Sequence, residues 1–155
     1  MEAVKLVSTA SAEETFALGE QLGAALLPKD FVGLSGQLGA GKTQFSRGVA
    51  QGTGVPLEDV SSPTYSIVQT YRGRLELHHV DLYRLATDDD LFAIGWFDLL
   101  EGDGAFLVEW VDQVRSAAPS DALTVSIAVL GPEQRRFELR ATGPSSQALL
   151  QRWRP

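Results

Sequence analysis

Runs of apolar residues with period two alternate along this chain with stretches of helical period, and each change of period marks a new element. A short apolar strand fits Val4 to Val7. Ser11 and Glu14 have the capping-box spacing. Leu18, Leu22 and Ala25 then recur at i, i+4, i+7, which predicts a helix ending before Pro28. Phe31 to Ser35 reads as a buried strand that runs straight into a glycine-rich segment, with a helix from about Lys42 to Gln51 after it. Ser66 to Tyr71 and Arg74 to Asp81 read as an antiparallel hairpin turning at Arg72-Gly73. On its second strand, Leu75, Leu77, His79 and Asp81 share one face. Asp88 to Leu100 reads as helical with a break near Gly95, and Ala105 to Glu109 as a buried strand ending in a carboxylate. Leu123, Val125, Ile127 and Val129 alternate, Gly131-Pro132 turns the chain into Arg135 to Ala141, and Ser145 to Trp153 predicts a terminal helix. The mixture is α/β, and its hairpins exclude a wholly parallel sheet.

The 155 residues suit one domain, 1–155, with no repeat, low-complexity stretch or linker. No apolar run approaches the roughly 20 residues of a membrane helix, and the first residues lack a basic leader with an apolar stretch behind it. With no cysteine, disulfides, Cys-zinc sites and thiol catalysis are excluded, and a reducing cytoplasm is the expected location. A net charge of -7 argues against a protein that grips nucleic acid by itself. The charge is uneven. Acids crowd the stretch from Asp88 to Asp121, where Arg115 is the single base, whereas Arg135, Arg136, Arg140, Arg152 and Arg154 make the tail basic. These are either docking surfaces or solvated faces.

Gly36-Gln37-Leu38-Gly39-Ala40-Gly41-Lys42-Thr43 matches G-x-x-x-x-G-K-[ST] in full. Each part has a physical task. Glycines let successive backbone N–H groups curl towards phosphate, and the helix beginning at Lys42 turns its positive end to the same anion. The Lys42 ammonium reaches the β and γ oxygens, and the Thr43 hydroxyl is a hard ligand for Mg²⁺. Gly36, Leu38, Gly39, Ala40, Gly41, Lys42 and Thr43 are therefore the expected ATP-binding segment, in a P-loop NTPase-like three-layer sandwich. Its mixed sheet should have a parallel core and antiparallel hairpins at the edges.

Such a loop needs a further acid near the metal and a group to orient water, at the carboxyl ends of neighbouring strands. Glu109 is at the Walker-B position, or else is a solvated strand end. Asp81 ends the other strand, or else forms a turn or pairs with Arg84. His79 reads as structural or as a support to a site more readily than as one of a metal pair with Asp81. Thr64, in Ser61-Ser62-Pro63-Thr64, is either a switch-loop hydroxyl or an ordinary loop threonine. Trp110 is either core or a lid over the site, and core is the expected reading.

Together these segments resemble the TsaE family, the ATPase component of bacterial tRNA threonylcarbamoyladenosine synthesis. The resemblance runs from Glu13-Glu14-Thr15 to Leu107-Val108-Glu109-Trp110. Its pieces are Gly39-Ala40-Gly41-Lys42-Thr43 with Arg47-Gly48, then Ser62-Pro63-Thr64-Tyr65, then His79-Val80-Asp81-Leu82-Tyr83-Arg84-Leu85, then Val108-Glu109-Trp110. It implies that Lys42 and Thr43 take phosphate and Mg²⁺, that Glu109 takes the Walker-B metal role, that Asp81 serves hydrolysis, and that Thr64 belongs to a switch-like loop. It also implies adenine contacts near Ser11 and near the turn before Phe137, where Arg136 is the candidate. The implied partners are the TsaD and TsaB subunits, with tRNA reached through the complex. Val111 stands where the family often has proline. Two other readings share the loop: a small-molecule kinase, which lacks the expected Arg-rich lid here, and a nucleotide-gated adaptor that does not hydrolyse.

Overall fold

A computed structural model describes residues 2–36, 41–60 and 67–155. Its elements, in chain order, are β1 (Ala3–Thr9), α1 (Ala12–Ala25), β2 (Phe31–Gly36), α2 (Lys42–Gly52), β3 (Val68–Arg72), β4 (Glu76–Asp81), α3 (Asp88–Ala93), α4 (Trp96–Glu101), β5 (Ala105–Glu109), β6 (Leu123–Val129), β7 (Arg135–Ala141) and α5 (Pro144–Trp153). Short 3-10 turns at Val111–Gln113 and Arg115–Ala117 link β5 to β6.

All seven strands form one sheet in the order β1-β7-β6-β2-β5-β4-β3. The centre, β6-β2-β5-β4, is parallel. The margins are antiparallel, with β3 on β4 at one side and β7 on β6, then β1 on β7, at the other. The expected mixed sheet with a parallel core is therefore present. Strand alternation sends side chains to two separate cores. Val32 and Leu34 of β2, Leu107 of β5 and Phe137 of β7 pack with Leu18, Leu22, Phe45, Val49, Leu149 and Trp153 from α1, α2 and α5. On the other face, Phe31, Val80, Phe106 and Val108 pack with Leu91, Trp96, Val111 and Ala117. Helices on both faces make the three layers.

Local chemistry explains the boundaries. Ser11 Oγ accepts the Glu14 N–H at 3.1 Å and caps α1, while Glu14 Oε1 accepts from Ala10 rather than from the cap residue itself. Gly95, with φ 73°, separates α3 from α4 where one longer helix with a break was expected. In the hairpin, β4 begins at Glu76 rather than Arg74, because Arg74 leaves the ladder: its N–H donates to the Thr53 carbonyl. Helices α1 and α2 cross at unusually close range. A Cβ on Gly48 would lie 2.1 Å from the Phe16 carbonyl oxygen, and one on Gly19 would lie 2.2 Å from that of Phe45. This contact anchors α2, the helix that follows the glycine-rich loop.

Candidate nucleotide site at the carboxyl ends of the parallel strands

Strands β2, β4 and β5 run the same way, so Gly36, Asp81 and Glu109 end at one edge of the sheet. Gly36 leaves β2 at φ 141°, and a Cβ there would meet the Ile127 carbonyl oxygen at 2.7 Å. Gly41, at φ 91°, is the residue from which α2 starts. Both ends of the glycine-rich loop thus need glycine, one for contact and conformation and the other for conformation. Leu38, Gly39 and Ala40, and also Thr64, lie outside the described residues.

Lys42 begins α2 and is only 5% exposed. Its ammonium donates to the Gly36 carbonyl at 3.3 Å and stands 4.0 Å from the centre of the Trp110 ring. An aromatic face attracts a cation more strongly once water is excluded. Trp110 adopts φ 58° directly after Glu109, and its ring also packs on Tyr83 at 4.9 Å between centroids. Trp110 is half-buried and touches the second core, as expected, but it also forms one wall of the lysine's surroundings. Thr43 is exposed at the same helix end.

Glu109 is buried, which removes the reading of a solvated strand end. Its Oε2 lies 2.5 Å from His79 Nε2, and both residues come from the sheet face that carries α1 and α2. Asp81 is the cross-strand partner of Glu109. Its Oδ1 accepts the Tyr83 N–H at 2.9 Å, so the turn-forming reading holds beside any catalytic one. Burial raises the Asp81 carboxyl above the ordinary range, and the Glu109 charge adds to the rise. The Tyr83 N–H, His79 and Lys42 oppose it.

Among the described residues no group of three or more His, Asp or Glu is arranged to hold a metal. The donors present, one helix-start hydroxyl (Thr43) and one strand-end carboxylate (Glu109), suit Mg²⁺. That ion is commonly held by one or two protein oxygens together with substrate phosphates and water.

The two residues considered for adenine separate. Ser11 caps α1, whose first turn comes close to the loop: a Cβ on Gly41 would lie 3.9 Å from Thr15 Cγ2. Arg136 is on the other sheet face, in an open hollow with Leu6, Ser126, Ala128 and Glu138. Its neighbour Arg135 points the other way, and that same Cβ on Gly41 would stand 3.5 Å from its Nε. Period-two alternation decides the matter: one residue's shift exchanges the faces. Arg135 donates to the Gly131 and Gln134 carbonyls at 2.9 Å, so it also shapes its own turn.

The family model for the threonylcarbamoyl adenosine biosynthesis protein TsaE matches residues 9–137. The chain belongs to the TsaE family. It is 40% identical over 127 residues to the tRNA threonylcarbamoyladenosine biosynthesis protein TsaE of Treponema pallidum, covering 82% of this chain and 93% of the relative. It is 36% identical over 136 residues to the protein of that name from Bacillus subtilis, covering 87% and 84%. The crystal structure of Bacillus subtilis YdiB superposes with a TM-score of 0.83 at 29% identity, covering 99% of this chain and 96% of that one. The TsaE match includes every segment on which the sequence resemblance rests, together with β6 and the start of β7, so Arg135 and Arg136 both fall inside it. No described helix is long and apolar enough to cross a membrane.

Proposed function

We propose that this TsaE-family chain is a Mg²⁺-dependent ATPase that supports formation of threonylcarbamoyladenosine next to the tRNA anticodon, working with TsaD and TsaB subunits. The observation that carries the reading is the convergence of Lys42, Asp81 and the His79–Glu109 pair at the end of β2 from which the glycine-rich loop departs. Magnesium, when bound with ATP, neutralises phosphate charge. The tasks of the residues belong to this reading, and the placement of the residues supports them. The α2 end and Lys42 take the phosphates, Thr43 and Glu109 supply the metal's protein oxygens, and Asp81 orients the attacking water. Thr64 is assigned to the switch-like loop on resemblance alone. Arg135, with the Ser11 turn, is the better placed candidate beside the nucleoside, in preference to Arg136.

The experiment is calorimetric titration with ATP and Mg²⁺. Lys42→Ala removes charge-assisted contacts worth about 1.5–3 kcal/mol each, so affinity should fall at least about tenfold. Unchanged affinity would remove the phosphate role. Co-purification with TsaD and TsaB, tested separately, decides the partner assignment.

A further inference from the structure

His79 is 4% exposed and Glu109 9%, so their contact is shielded from solvent. In the parallel ladder His79 is paired with Leu107, and Asp81 with Glu109. The imidazole therefore reaches diagonally along its own sheet face, past its direct partner, to a carboxylate two residues further on. In the tautomer that carries its proton on Nε2, the imidazole donates to Glu109 Oε2 at 2.5 Å. That bond commits one carboxylate oxygen and leaves Oε1 as the oxygen it does not use.

Glu109 has competing attractions and repulsions in this corner. The carboxyl of Asp81 stands beside it on the next strand, and the two repel. The ammonium of Lys42 is also within electrostatic reach of Asp81 at the same strand ends. A carboxylate on a flexible side chain could turn towards the cation or away from the acid. A buried donor at one of its oxygens removes that freedom. Groups behind a metal ligand commonly set its orientation in this way.

We infer that His79 is a positioning residue that holds Glu109 by Oε2 and so presents Oε1 to the magnesium of the bound nucleotide. The inference rests on the metal role proposed for Glu109. The alternative is a buried pair that only ties β4 to β5.

The test is calorimetry with the non-hydrolysable analogue AMPPNP, at graded Mg²⁺ and in EDTA, with thermal unfolding recorded for each variant. His79→Phe keeps a ring of similar size and removes the donor. His79→Gln restores an N–H at nearly the same reach. The magnesium concentration giving half of the metal-dependent gain in affinity should rise about tenfold or more in His79→Phe. Affinity in EDTA should stay at the parental value, and His79→Gln should recover most of the loss. A parental magnesium dependence in His79→Phe overturns the inference. So does an equal loss of affinity in EDTA, or a His79→Gln variant no better than His79→Phe. If His79→Phe does not fold, His79→Asn, whose amide is too short to reach Glu109, replaces it with the same outcomes. Glu109→Gln is measured in parallel: a parental magnesium dependence there overturns the metal role itself, and the positioning role with it.

Discussion

Asp81 and Glu109 stand opposite one another in the parallel pairing of β4 with β5, yet their two carboxylates have different environments. Glu109 is held by the buried His79 imidazole, whereas Asp81 is half-buried and held by the backbone N–H of Tyr83. Two neighbouring acids with different partners can take different tasks.

The raised Asp81 pKa has a defined consequence for stability. The folded chain keeps this proton to higher pH than the unfolded chain does, mainly because burial disfavours the charge. Its contribution to stability is therefore complete below the unfolded value of about 3.9 and is lost as pH rises through the folded value. Asp81→Asn keeps the Tyr83 bond and cannot ionise. Thermal unfolding of variant and parent should agree in acid, and the variant should become the more stable as pH approaches neutrality. A gap that does not change with pH would contradict this.

The same variant tests catalysis. Asp81→Asn should bind ATP with parental affinity and lose most phosphate release. A variant that hydrolyses at the parental rate removes Asp81 from the reaction. One that fails to hydrolyse but still supports tRNA modification favours the adaptor reading.

Gly48→Ala tests the helix crossing that anchors the loop helix. The added methyl meets the Phe16 carbonyl, which belongs to backbone and cannot rotate away. Overpacking of this kind costs about 1–3 kcal/mol, so the melting midpoint should fall by several degrees. An unchanged midpoint would show that α1 and α2 can separate without loss.

Arg135 and Arg136 give opposite expectations from adjacent positions. Arg135→Ala should weaken ATP binding roughly tenfold if its guanidinium contributes a charged hydrogen bond. Arg136→Ala, altered on the far face of the sheet, should bind like the parent. The reverse result would restore Arg136 as the nucleoside contact.

The isolated chain should hydrolyse ATP slowly and be stimulated by TsaD and TsaB. Fast phosphoryl transfer uses a cation on the γ-phosphate beyond the loop lysine, worth about 10³–10⁵ in rate. Besides Arg135, which stands beside Gly41, the arginines in the segments that build the site are Arg47, half-buried on α2, and Arg84, exposed three residues after Asp81. Phosphate release with and without the partner subunits is the measurement. A high rate alone that collapses in Arg84→Ala would place the finger within this chain.

Patterns of short range in the sequence determined the elements, since helical period, strand alternation, the Ser11 cap and the glycines at 36, 41 and 95 act over a few residues. The phosphate loop was legible for the same reason: its chemistry requires residues adjacent along the chain. The register between strands was not, because it depends on pairings between segments far apart in sequence. Only that register set Asp81 beside Glu109 and brought the His79 imidazole to Glu109 Oε2. The close crossing of α1 and α2 left a readable trace in Gly19 and Gly23 and in Gly48 and Gly52, each pair four residues apart. Four-residue spacing puts each pair on one helical face, but it does not say which two faces meet. Packing around the shared core decided that, because only residues without a Cβ let two backbones approach so closely.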